Sequence, residues 1–129
     1  MTTRELAPLV RLAGLACDAA EARLAALRRD ETELRRQIAA LDAARRARLT
    51  EARATDVTLR SGVDLRWEGW IDRRTSALGA ELARLLARIE MARDELTTAF
   101  GRRSATDTLA AQARAQAVAR RLKAEERGW

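Results

Sequence analysis

The chain has 129 residues, enough for one domain, and its apolar content is unusual: 29 Ala and 18 Leu against one Phe, no Tyr and seven Ile plus Val. So few β-branched and aromatic residues leave little material for strands, and the Ala, Leu, Arg and Glu excess is that of long helices. With no His and one Cys, the chain cannot assemble a zinc site of the usual Cys/His kind, a His-based nucleophilic pair or an internal disulfide.

A net charge of +6 invites a polyanion partner. However, 24 of the 25 basic residues are Arg, and both signs are mixed along most of the sequence. Residues 1–55 carry 11 basic and 8 acidic side chains and residues 56–100 carry 7 and 8, whereas residues 101–129 are lopsided at 7 to 3. Mixed charge of this kind marks a solvated coiled-coil surface. No run approaches the ~18 uncharged apolar residues of a membrane span. The lone Cys17, set among Ala16, Ala19 and Ala20, reads as a small core residue. A single free thiol fits a reducing compartment.

In chain order, Pro8 suggests that regular helix begins there, because proline is tolerated in a first turn and not later. Apolar residues then recur in steps of four and three: Leu6, Val10, Ala13, Cys17, Ala20, Leu24, Leu27, Leu34, Ile38 and Leu41, with Glu31 the one polar member. That is a heptad seam facing a partner helix. The ladder then meets Arg45 and Arg48, and a four-residue skip to Leu49 and Ala52 reads as a stutter. Glu31 is expected to reach across to Arg84 or Arg88. Residues 55–63, with Thr55, Asp56, Ser61 and Gly62, are poor helix formers and good turn residues, and they read as a hairpin tip.

A second ladder runs through Trp67, Ile71, Arg74, Leu78, Leu82, Leu85, Ile89, Ala92, Leu96 and Ala99, with an awkward step at Glu81 and Leu82. Residues 101–107 are softer, a candidate break, and helix resumes from Leu109 until Gly128. The expectation is therefore an all-α fold and a single coiled-coil domain over residues 1–129. It is a long two-helix antiparallel hairpin, with helix one over about 8–54 and helix two over about 64–127. The second helix is longer and overhangs beside the amino terminus. With one narrow Leu and Ala stripe per helix, the pair is expected to be marginal alone and to stiffen under a partner; a dimeric four-helix bundle is the rival outcome.

Two groups of residues stand out as candidate contact sites. Trp67 falls on the ladder and reads as a plug at the tip. Trp70 falls one step off it, and Arg73 and Ala77 extend its flank at helical spacing. Trp and Arg are the residues that most often dominate interface energy. The overhanging end carries Arg114, Arg120, Arg121, Lys123 and Arg127, with Val118 and Leu122 on one side. A basic amphipathic helix suits a groove, an acidic surface or phosphates. The lack of stacking aromatics argues against single-strand recognition.

On this plan the chain resembles the FliJ/YscO family of bacterial type III export proteins, in size, in the antiparallel two-helix coiled coil and in the longer second helix. The similar stretch is Leu96-Thr97-Thr98-Ala99-Phe100-Gly101-Arg102-Arg103-Ser104-Ala105-Thr106-Asp107-Thr108-Leu109, late in helix two, and the acidic ending often seen there is reduced to Lys123-Ala124-Glu125-Glu126. The resemblance implies a non-enzymatic, cofactor-free stalk or escort protein working at the cytoplasmic face of the inner membrane, reaching the membrane only through partners. Its helix ends, here Leu6, Val10, Arg114, Val118, Arg120, Arg121 and Leu122, would enter an export ATPase ring. A patch early in helix two, here Trp70, Arg73, Arg74 and Ala77, would touch the export gate. The alternatives from the residues alone are a basic nucleic-acid-associated helical protein and a self-assembling structural coiled coil.

Overall fold

The computed structural model describes residues 1–54 and 62–128. It is an α-hairpin: α1 spans Thr3–Ala54, α2 spans Gly62–Arg127, and the two pack against each other. There is no strand among the described residues. The expected tip lies almost wholly at residues 55–61, outside the described residues, and α2 begins slightly before the expected residue 64.

The first correction concerns the start of α1. Helix begins at Thr3, ahead of Pro8. Thr2 and Glu5 form a reciprocal capping box: the Glu5 N–H donates to Thr2 Oγ1 at 3.2 Å, and the Thr2 N–H donates to Glu5 Oε2 at 3.1 Å. Two orphan amides of the first turn are thereby satisfied, and the Leu6 N–H donates to the Thr2 carbonyl at 3.1 Å. Pro8 then sits inside the helix, in its second turn, where it removes the donor that the Arg4 carbonyl would otherwise have. The second correction concerns residues 101–107, which form no break. α2 is helical throughout them, and the seam positions Ala99, Arg103, Thr106 and Ala110 stay partly buried. The ~1 kcal/mol that Gly101 costs a helix does not outweigh an uninterrupted line of packed positions on both sides.

The chain divides into two compact units. The central unit comprises residues 26–90. Its core is aliphatic, with Ile71, Leu78, Leu85 and Ile89 each no more than 3% exposed. On α1 the seam passes through Leu27, Glu31, Leu34, Ile38 and Leu41, and continues without a skip through Arg45 and Arg48, all partly buried. The expected stutter is absent, and Leu49 is 44% exposed. An arginine can hold a seam position because its methylene stem lies along the apolar stripe while its guanidinium reaches the edge. Here each guanidinium finds an acid on α2: Arg45 pairs with Asp72, and Arg48 with Asp64. The order of these pairs, one chain number rising as the other falls, is that of antiparallel helices. Arg48 also lies 4.4 Å over the Trp67 ring, a cation–π contact that roofs a half-buried Trp67.

On α2 the ladder departs from expectation at one position. Arg74 is exposed and Thr75 takes its place, after which steps of four and three run through Leu78, Leu82, Leu85 and Ile89, so Leu82 is in register. Glu31 does not reach across to Arg84 or Arg88. It is held on its own helix, accepting from Arg35 Nε at 2.9 Å.

On the outer face of α1, Glu33 accepts from Arg36 Nη2 at 2.7 Å, from Arg36 Nε at 2.9 Å and from Gln37 Nε2 at 3.1 Å. Hydrogen bonding from Arg36, then from Gln37, lowers its pKa from 4.5 to about 2. A carboxylate depressed in the folded state contributes stability above its unfolded pKa, and that contribution is lost as pH falls from about 4.5 toward 2. A carboxyl-selective NMR titration should place Glu33 well below the ordinary glutamate value of 4.5. Arg36→Ala should move it back toward that value; an unchanged Glu33 midpoint in that variant would assign the depression to something else.

The terminal unit comprises residues 1–25 and 91–129. Its core is made of small residues: apart from Leu6, the buried positions are Cys17, Ala20, Ala92 and Ala113. Val10, Ala13 and Leu24 on α1, and Leu96, Ala99, Arg103, Thr106, Ala110 and Ala117 on α2, complete the seam as partly buried positions. Thr106 Oγ1 donates to the Arg103 carbonyl at 2.9 Å, which satisfies a hydroxyl inside the seam. Arg103 in turn sends its guanidinium out over the Phe100 ring, 5.1 Å from its centre. Arg23 pairs with Glu95 across the two helices. No buried side-chain polar atom lacks a partner among the described residues. From Val118 to Gly128 every residue is exposed, so α2 runs on past the end of its partner helix.

Candidate partner-binding surfaces

In the central unit, α2 places Trp70, Arg73, Arg74 and Ala77 on one helical face by their spacing of three and four residues. All four are exposed, and Trp70 shows 51% of its surface to solvent. The seam occupies the neighbouring face, where Ile71 is 1% exposed. The two tryptophans therefore differ in role. Trp67 is partly buried under Arg48, whereas Trp70 presents its indole outward beside two arginines. An indole flanked by guanidinium groups offers a partner a flat apolar anchor with charged edges.

In the terminal unit the candidate end residues separate into two kinds. Leu6 is 2% exposed and Val10 is partly buried. Leu6 is corrected as a contact residue, because packing between the helices occupies its side chain. Arg114, Arg120 and Arg121 are exposed, as are Val118 at 50% and Leu122 at 56%. Val118 and Leu122 are one helical turn apart and share a face. With Ala111 and Ala115 they form an exposed apolar line of four-three spacing that runs along the last paired turns of α2 onto its free part, edged by arginine.

The outward face of α1 carries a second apolar line beside the seam. Leu9, Leu12 and Leu15 are 41%, 63% and 65% exposed. The signal was present as a second four-three series, Pro8, Leu12, Leu15, Ala19 and Ala22, running beside the first. The stronger aliphatic ladder masked it. The terminal unit thus buries mostly small residues between its helices and leaves three leucines of α1 outside, whereas the fully buried positions of the central unit are large aliphatic ones. Between Ala16, Ala20 and Ala99 an open groove runs along one flank, lined by Arg23, Glu95 and Arg102.

The described residues contain no cluster of three or more acidic or Cys side chains arranged to hold a metal. No helix among them is long and apolar enough to cross a membrane. Fold and surfaces together define an antiparallel coiled-coil pair with solvent-facing apolar patches. Compared with known proteins, the chain matches no family, no curated sequence and no solved structure.

Proposed function

We propose that this chain is a non-enzymatic stalk or escort component of a bacterial flagellar or type III export apparatus, at the cytoplasmic face of the inner membrane. It engages the export ATPase ring through the free end of α2 and the export gate through the Trp70 patch. The observation that carries this reading is the unequal helix pair: α2 has 66 residues against 52 in α1, and its exposed extension is both basic and apolar-striped. A helix that outruns its partner presents a whole cylinder to a surrounding ring. Mixed charge along the rest of the pair suits contact with several subunits in turn. The Trp70 face supports a second, separate contact, because its anchor residues are exposed and unused by the helix pair.

The test uses the purified chain and the export ATPase encoded by the same genome. Addition of the chain should raise ATP hydrolysis, and Val118→Asp with Leu122→Asp should weaken the effect about tenfold or more, as loss of a central apolar anchor does. Trp70→Ala should leave stimulation intact and abolish capture of the gate protein. A chain that neither binds nor stimulates the ATPase overturns the reading.

The basic extension also favours one other partner class, a polyanion such as DNA. That reading requires binding that falls steeply with added salt and that disappears in Arg120→Glu with Arg121→Glu. A gel-shift titration at two salt concentrations separates it from the export role.

A further inference from the structure

The outward leucines of α1 need a cover, and the pattern of charges beside them indicates which. We infer that this face binds a second copy of the same chain, α1 against α1 and antiparallel, in a reversible two-fold dimer.

The argument begins with the exposed series Pro8, Leu12, Leu15 and Ala19. Its four-three spacing is that of a helix seam, so it suits another straight helix better than a globular surface. A two-fold interface uses the same patch twice, so each residue must tolerate its mirror partner in the second copy. An antiparallel register centred between Leu12 and Leu15 meets this requirement along the stripe. Leu12 then faces the second copy's Leu15, and Pro8 faces the second copy's Ala19, a large residue against a small one.

The flanks of the same register decide the identity of the partner. On one side Arg11 comes opposite the second copy's Asp18, and the symmetry repeats that pair. On the other side Leu9 comes opposite the second copy's Ala16. Arg11, Asp18 and Ala16 are all exposed, and the two charges lie along one side of the stripe, where they would flank a partner helix. A register shifted by one heptad would set Leu12 and Leu15 opposite Ala22 and Ala19, or opposite Pro8 and Glu5, of the second copy, and would bring Asp18 or Arg11 opposite its own counterpart. Opposite charges that fall into register only when the chain meets itself are a form of partner selection.

The stripe is short, less than two heptads from Pro8 to Ala19. Its area lies below that of stable interfaces, so the dimer is expected to depend on concentration in the accessible range. It covers α1 in the unit whose α2 extension is proposed to enter the ATPase ring, and dimer formation would compete with that engagement. The inference itself does not depend on the export reading.

Sedimentation velocity on the full chain, from micromolar to millimolar concentration, tests it without any other protein. The mass should rise from 14.3 kDa toward twice that value. Arg11→Asp alone and Asp18→Arg alone should each shift the transition to at least tenfold higher concentration, because each places like charges opposite one another. The double variant R11D/D18R should restore the original transition. Far-UV circular dichroism on every variant, with the wild-type helical signal as the standard, ensures that loss of dimer is not loss of fold. A mass of 14.3 kDa at every concentration, or a dimer that ignores the single charge reversals, overturns the proposal. A dimer weakened by each reversal but not rescued by the exchange also overturns it, since the Arg11–Asp18 pairing would then be wrong.

Discussion

Leu78→Ala is expected to lower the unfolding free energy by about 2–5 kcal/mol, the cost of deleting three buried carbons and leaving part of the space unfilled. Leu78 is 2% exposed and sits in the middle of the aliphatic run Ile71, Leu78, Leu85 and Ile89. A two-helix structure has no third element to collapse into the gap, so the upper part of that range applies. Leu65→Ala, at a site 74% exposed, serves as the control and should change stability by no more than ~0.5 kcal/mol. Urea titrations followed at a helical wavelength should show a lower midpoint for Leu78→Ala and an unaltered slope. Equal midpoints for the two variants would mean that the central unit does not carry the stability its packing implies.

The second large effect has the opposite sign. Gly14, Gly79 and Gly101 lie inside helices, and a Cβ built on any of them meets no atom within 4 Å. No glycine among the described residues has a positive φ. These three positions therefore bear the entropic cost of glycine in a helix, about 0.5–1 kcal/mol each, without using its freedom. Far apart in sequence and sharing no partner, they should behave additively. The triple alanine variant should gain about 1.5–3 kcal/mol, read as a higher thermal midpoint. Gly69 and Gly128 are different. A Cβ at Gly69 would come 3.3 Å from the Arg73 guanidinium, and one at Gly128 would come 3.1 Å from the Ala124 carbonyl, so they stay unchanged in that variant. A triple variant no more stable than the parent would show that one of these glycines serves a purpose beyond the helix pair.

The all-α class and the two helices are legible from spacing, since steps of four and three are a direct image of a helix seam, and their antiparallel pairing from the turn residues between the two ladders. Errors arose where one residue type can do two jobs. Arg45 and Arg48 looked like interruptions because arginine is scored as polar, yet a long stem with an acid in reach lets each fill a seam site. Arg74 looked like a seam member because it fell on the arithmetic, and Thr75 holds the place. Pro8 looked like a boundary, but the signal that starts the helix is the pair Thr2 and Glu5, three residues apart. Residues 101–107 looked soft from composition, and neighbouring packed positions carry the helix through.

The surfaces were legible only in part. Exposure of Trp70 follows from its place one step off the seam, and exposure of Val118 and Leu122 from the unequal helix lengths. Leu6 was assigned to a contact surface on position alone, although its place on the ladder already argued for burial. The outer leucines of α1 escaped notice because a helix with two apolar lines reads, in one dimension, as a helix with one wide line. Only the partition between buried alanines and exposed leucines separates them.

Cys17 is the single sulfhydryl of the chain and is 0% exposed. Alkylation at this position can proceed only when the helices part around it, so the rate of adduct formation in native buffer is a clock for that opening. Grip by any other protein on the alanine-lined half would slow the clock, and a thiol-reactive mass tag would record this without mutation.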